Sequence, residues 1–214
     1  MKIHRAINRI KGLTLIEVLV IVVVFFVLAA LLLPSLAGGP RKSTRIGCVN
    51  NLKQIGLAYR IWAGDNGDKF SMEIYATNVF AIKLAATGNS YVLWRAMSNE
   101  LATPKILHCP ADKQRTNALS FTQGFSDANI SYFFNLNGVT TDPQMILAGD
   151  DNLIVNGVRV SPGILNLSTS NSVSWAKERH DGAGNAGLAD GSVQMISSAG
   201  LKLLLITTNR LVIP

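Results

Sequence analysis

The chain reads as α+β, with two helical segments near the N-terminus followed by short strands that form a small antiparallel sheet. Three observations predict this. An almost unbroken apolar run extends from Leu13 to Leu33, apolar residues recur at spacings of four, three, four and three from Cys48 to Trp62, and five short β-rich segments follow residue 143, the last two joined by Asp190-Gly191. A length of 214 residues suits one domain of ordinary size. Hydrophobic residues make up 48% and charged residues only 15%, which excludes a charge-rich disordered chain. The net charge of +7 is concentrated at the start, where Lys2, Arg5, Arg9 and Lys11 stand without an acid; the remaining 16 Lys and Arg against 13 acids leave +3. No nucleic-acid partner is therefore expected.

The first element is LTLIEVLVIVVVFFVLAALLL, Leu13–Leu33, whose polar residues are Thr14 and Glu17. As a helix it rises roughly 31 Å, against about 30 Å for the hydrocarbon core of a bilayer, so it is expected to cross a membrane once. Residues 1–12 form a basic leader before it. One reading of this start is a secretory signal peptide cleaved after Ser35-Leu36-Ala37, which would release a soluble protein. The run exceeds the roughly 7 to 15 residues of such a segment and carries an acid, and both features favour a retained helix.

The stretch KGLTLIEVLV, Lys11–Val20, resembles the type III signal sequence of type IV pilins and type II secretion pseudopilins. The resemblance implies that a prepilin peptidase cuts between Gly12 and Leu13 and N-methylates Leu13. It makes Glu17 the acid at the fifth place after the cut, and Pro34 matches the proline the family carries further along. It also implies a pilin-like fold, in which a long helix, transmembrane and then amphipathic, packs on the sheet. The protein would then be a single-pass inner-membrane protein with an extracytoplasmic, periplasmic domain, built into a type II secretion or type IV pilus-like filament. The implied partners are the prepilin peptidase, other pilin or pseudopilin subunits, an inner-membrane assembly platform and membrane lipid. In that family the amine of an incoming subunit faces the glutamate of its neighbour. Such a partner is needed, because a carboxylate in hydrocarbon costs up to about 2.5 to 3.5 kcal/mol. Glu17 would then set the assembly register; the plainer alternative is an acid snorkelling near a helix end. The alternative function is a secreted or membrane-anchored extracytoplasmic binding protein that does not polymerise.

Pro34 has no amide hydrogen and Gly38-Gly39-Pro40 repeats the interruption, so residues 34–42 are expected to be a hinge between the membrane helix 13–33 and a globular domain 43–214. Ser43–Gly64 is the expected amphipathic helix, with Cys48, Leu52, Ile55, Tyr59 and Trp62 on one face and Lys53, Gln54 and Arg60 off it. The run Cys48–Phe70 is similar to the start of a pseudopilin-like family that also carries a C-terminal H-X9-DG signature. Asp65-Asn66-Gly67-Asp68 is a turn cluster. From Ser71 to Thr141 the pattern supports one short helix around Tyr91–Leu101 and otherwise loop. Strands are expected at Gln144–Ala148, Leu153–Val155, Ser172–Ala176, Asn185–Ala189 and Ser192–Ile196, with Asp190-Gly191 as a hairpin turn.

The H-X9-DG motif is His180 with Asp190 and Gly191. Read from the residues, Asp190 and Gly191 make the turn, and His180, in the loop entering the hairpin, hydrogen-bonds the turn or a strand end. The functional alternative is a calcium ion held by Asp150, Asp151, Asp181 and Asp190 from converging loops, since calcium prefers oxygen ligands. The calcium bound by major pseudopilins near their C-termini, an implication of the resemblance, points the same way. Two cysteines and three histidines lack the close paired spacing of a zinc site, His108 and Cys109 being merely adjacent. GxSxG, GxGxxG and Walker A patterns are absent, so a structural rather than enzymatic role is expected. The topology implied by the pilin signal puts Cys48 and Cys109 in an oxidising compartment. A disulfide between them is expected to pin the loop before Pro110 to the amphipathic helix, the alternative being two buried thiols.

Overall fold

In a computed structural model that describes residues 14–36, 39–204 and 210–214, the apolar run is helical: α1 spans Leu15–Leu36. A capping box starts it. Thr14 Oγ accepts from the Glu17 N–H at 3.3 Å, while Glu17 Oε2 accepts from the Thr14 N–H at 2.7 Å and from its hydroxyl at 2.8 Å. The side chains of α1 are described up to residue 31, and nearly all are exposed, Phe25 and Phe26 by 69% and 67%. Among the described residues no helix is long and apolar enough to cross a membrane; the apolar run itself, Leu13–Leu33, passes both limits of those described side chains. Gly12 and Leu13 lie outside the described residues.

The described residues of the expected hinge, 34–42, are helical. The helix α1 continues through Pro34 to Leu36, and α2 (Gly39–Asp65) starts with Pro40 in its first turn, where a missing N–H removes no helical bond. Residues 37 and 38, between them, lie outside the described residues. The chain divides into two compact units, residues 1–40 and 41–214.

In the second unit α2 buries most of the face its spacing predicts: Cys48, Leu52, Ile55 and Tyr59 are at most 1% exposed while Trp62 is half-buried, and each large apolar side chain so buried contributes about 1.5 to 3 kcal/mol. The turn cluster closes it, with Gly67 and Asp68 at positive φ and the Asp68 N–H donating to the Ala63 carbonyl at 2.9 Å. Short helices follow at α3 (Ser71–Tyr75), α4 (Val79–Ala86), α5 (Tyr91–Ala96) and α6 (Ser98–Leu101). The first two occupy a stretch expected to be loop, and the expected helix 91–101 is interrupted at Met97.

Among the described residues nine strands follow: β1 (Tyr132–Asn135), β2 (Ile146–Asp150), β3 (Leu153–Val155), β4 (Val158–Arg159), β5 (Gly163–Asn166), β6 (Val173–Trp175), β7 (Ala183–Leu188), β8 (Val193–Ser197) and β9 (Arg210–Ile213), with α7 (Ser198–Leu204) before the last. The α+β class therefore stands, but the sheet is larger than expected. Six strands pair antiparallel in the order β5-β9-β1-β2-β7-β8, and β4-β3-β6 make a second antiparallel sheet. Both faces of the large sheet are covered. Phe134, Leu147 and Val212 join the core that contains the buried face of α2, whereas Phe133, Ile146, Leu211 and Ile213 join a second core with Leu153, Trp175 and Leu201. Gly184 in β7 lies against Trp175 of the second sheet: an added Cβ would stand 2.6 Å from the ring.

Candidate functional site

The expected hairpin is present: β7 and β8 pair from Ala183↔Ser197 to Gly187↔Val193, and the Leu188 N–H donates to the Ser192 carbonyl at 2.9 Å. Gly191 takes φ +81°, which glycine allows, and a Cβ there would meet the Arg60 guanidinium at 2.9 Å. Asp190 Oδ1 accepts from the Ser192 N–H at 2.8 Å within the turn, and Arg60 of α2 donates to the Ala189 carbonyl at 3.4 Å. His180 stands at the other end of β7, in a single 3-10 turn, His180–Gly182. The motif thus brackets one strand: its histidine marks the entry and its Asp-Gly the exit. The side chain of His180 does not engage the turn but approaches the end of β2.

There the imidazole lies in a buried polar cluster. His180 Nε2 is 3.5 Å from Asp150 Oδ2 and 3.5 Å from Cys109 Sγ, and its side chain is 2% exposed. Arg45 donates to the His180 carbonyl at 3.3 Å. His180, Asp181 and Gly182 all have positive φ, 55°, 56° and 78°, a strained run for two non-glycine residues. Cys109 is bonded to Cys48, with the Cα atoms 5.0 Å apart. The Asn51 side chain donates to the His108 carbonyl at 2.8 Å, a second tie between α2 and this loop.

Asp150 is completely buried, and Oδ2 accepts from the Asn185 N–H at 2.8 Å and from Asn185 Nδ2 at 2.9 Å, while Oδ1 has no hydrogen-bond partner. Burial, only partly offset by Arg179 and Asn185, pushes its carboxyl up to about 6. Burial, together with the cations Arg45 and Arg179, pushes His180 down to about 4. The contact between them is therefore one with a neutral imidazole, not an ion pair.

Beside this pair runs a buried ionic cluster. Arg179 contacts Asp151 and, at 3.3 Å, Asp112; Arg115 contacts Asp151 and, at 3.4 Å, Asp112. The Ser131 hydroxyl donates to Asp112 Oδ2 at 2.9 Å, and Arg179 donates to the Ser131 carbonyl at 3.2 Å. Burial opposes ionisation of Asp112, but Arg179, the Gln114 N–H, Ser131 and Arg115 together hold its carboxyl below the usual range. Arg115 also donates to the Pro214 carbonyl at 3.1 Å, tying the strand β9 end into the cluster.

The four acids read as calcium ligands are thus divided among different tasks. Asp150 is held by Asn185, Asp151 is neutralised by two arginines, Asp181 shapes the 3-10 turn, and Asp190 caps a turn at the far end of β7. Among the described residues the histidine, cysteine and carboxylate side chains whose ligand atoms converge are Cys48, Cys109 and His180, within 4.8 Å of one another. Sequence reasoning did not reach Arg179, Asp112, Arg115, Ser131 or Asn185. Their one signal is that Arg179 adjoins His180, since pairing between positions 112, 151 and 179 leaves no spacing pattern. No protein-family model, curated protein or solved structure matches the chain.

Proposed function

We propose that this chain is a membrane-anchored structural subunit, a pseudopilin or minor pilin, made with the leader 1–12, cleaved and N-methylated at Leu13 by a prepilin peptidase, and built into an envelope filament. The observation that carries this reading is the KG-LTLIEVLV junction opening directly into an apolar helix. Two further features support it. The exposed apolar side chains of α1 need lipid or neighbouring subunits to cover them. The amphipathic α2 covers one face of an antiparallel sheet, as a pilin-like domain requires. The partners are then the peptidase, other subunits, an assembly platform and lipid. The site is the inner membrane, with residues after Leu33 outside the cytoplasm, where an oxidising milieu suits the Cys48–Cys109 bond.

One observation favours the second reading, a membrane-anchored extracytoplasmic binding protein that does not polymerise. Glu17 already caps its own helix through Thr14, so it has a task without any neighbour. The intact mass and N-terminal peptide of the membrane-extracted protein test the first step. Methylated Leu13 is the expected N-terminus, and a chain beginning at Gly38 would overturn the pilin reading.

A further inference from the structure

We infer that Asn137 is a self-modifying residue: its carboxamide closes on the Gly138 backbone nitrogen to a succinimide, and hydrolysis then leaves aspartate or isoaspartate in the connection between β1 and β2. The inference stands apart from filament assembly, since it concerns one loop of the second unit. Three Asn-Gly pairs occur in the chain, Asn66-Gly67, Asn137-Gly138 and Asn156-Gly157. Each offers the same two reacting groups, a side-chain amide and a following amide nitrogen that no side chain shields. As sequence the three are equal; folded, they are not.

Two of the three carboxamides are held. In the turn after α2, Asn66 Nδ2 donates to the Trp62 carbonyl at 2.8 Å. Between β3 and β4, Asn156 Oδ1 accepts from the Ser172 N–H at 2.9 Å, and the Asn156 N–H donates to the Ser172 carbonyl at 2.8 Å. Each of these side-chain bonds must break before Cγ can swing onto the next nitrogen. Asn137 is different. It is exposed, its N–H donates to Asn135 Oδ1 at 2.9 Å, and among the described residues its carboxamide has no hydrogen-bond partner. The Gly138 N–H, which must lose its proton to attack, donates only to the Asn135 carbonyl at 3.5 Å, at the limit of a hydrogen bond. Asn135 itself anchors the turn, wholly buried, with Nδ2 donating to the Ile146 carbonyl at 2.6 Å. Packing demands the glycine at 138 for its own reason: a Cβ there would stand 2.8 Å from Leu147 Cδ2 and 3.1 Å from the Met72 side chain. The fold therefore keeps an unshielded nitrogen beside an unheld carboxamide.

In the first step the Gly138 nitrogen bonds to Asn137 Cγ, the Cγ–Nδ2 bond breaks, and ammonia leaves with the former amide proton. Water, the sole co-reactant, then adds across one of the two imide C–N bonds. Opening at Cγ gives aspartate, and opening at the main-chain carbonyl carbon gives isoaspartate; either replaces a neutral amide by a carboxylate. The full chain in detergent is incubated at mildly alkaline pH in heavy-oxygen water, digested in ordinary water and mapped by mass spectrometry. Only acids formed by hydrolysis during the incubation then carry the label. In the folded protein, with tryptophan fluorescence confirming the fold, label is expected at position 137 at least about fivefold faster than at 66 or 156, the rate ratio equivalent to one net hydrogen bond. In urea the three rates should converge, because the bonds that hold Asn66 and Asn156 are gone. Label at 66 or 156 appearing as fast as at 137 in the folded chain overturns the proposal. So does a folded chain unlabelled at 137 whose unfolded form is labelled there, which would mean that the packing of Gly138 locks its nitrogen away from Cγ.

Discussion

The two units of this chain solve the burial problem in opposite ways. In the first, the described side chains of α1 are apolar and exposed, and the single acid, Glu17, is satisfied by the helix end. In the second, α2, the shorter helices and two sheets bury even ions: the side chains of Asp112, Asp151 and Arg179 are at most 5% exposed. A helix with apolar residues on every side cannot gain from the hydrophobic effect until something apolar surrounds it. A domain that pairs its buried charges internally has satisfied those charges within its own fold. Substitutions in the first unit should therefore change association, and those in the second should change folding. The three tryptophans, Trp62, Trp94 and Trp175, all lie in the second unit, so fluorescence-monitored unfolding of the full chain reports that unit alone.

The largest effect is expected from Arg179→Ala. It leaves Asp151 and Asp112 buried with one guanidinium fewer, and breaking such a cluster costs about 3 to 5 kcal/mol. Urea denaturation should show the midpoint fall accordingly; a shift equal to that of a surface Lys→Ala control would mean that the cluster is solvated after all. Replacing both Cys48 and Cys109 by alanine removes a cross-link spanning 61 positions, for which loop entropy alone gives about 4 kcal/mol, with measured losses commonly about 2 to 4. The same denaturation series measures it under oxidising conditions.

A smaller, sign-specific effect follows from His180 and Asp150. His180 is depressed from 6.5 to about 4, so its contribution is present above pH 6.5 and lost as pH falls through about 4. Asp150 is raised from 3.8 to about 6, so its contribution is present below pH 3.8 and lost as pH rises through about 6. The two oppose each other between pH 4 and 6. Subtracting the parent's stability curve, His180→Gln should give a difference that falls as pH rises across this window, and Asp150→Asn one that rises. Parallel curves for parent and variants would show that neither group titrates there. The smallest effect on stability belongs to Glu17→Ala. The fluorescence-detected transition should not move, whereas crosslinked multimers in the membrane should drop. Unchanged multimers would assign Glu17 to the Thr14 capping box alone.

How much of this was legible in the sequence depended on the range of the interaction. Leu52, Ile55 and Tyr59 reveal α2 because a helix buried on one face imposes a 3.6-residue period on its own segment. Asp190 and Gly191 reveal the hairpin because the reversal between Leu188 and Ser192 needs φ > 0 within the turn itself, which Gly191 supplies. The strands β1 and β9 escaped, since Phe133 and Phe134 or Leu211 and Val212 are adjacent apolar residues with no alternation. The reason is that both faces of their sheet are buried, Phe134 and Val212 in one core and Phe133 and Leu211 in the other. The helices α3 and α4, five and eight residues long, are too short to display a period.

The sequence by itself therefore determined the apolar helix, the face that α2 buries, the α+β class and the turn of the H-X9-DG motif. Each of these follows from chemistry within a few residues of itself. Only the tertiary structure decided that the motif's histidine turns away from its Asp-Gly toward Asp150 and the Cys48–Cys109 bond, and that Arg179 is shared by Asp112 and Asp151. Those contacts join positions about 30 to 130 residues apart. A buried charge must find an opposite charge wherever the packing brings one, and linear spacing carries no record of that meeting.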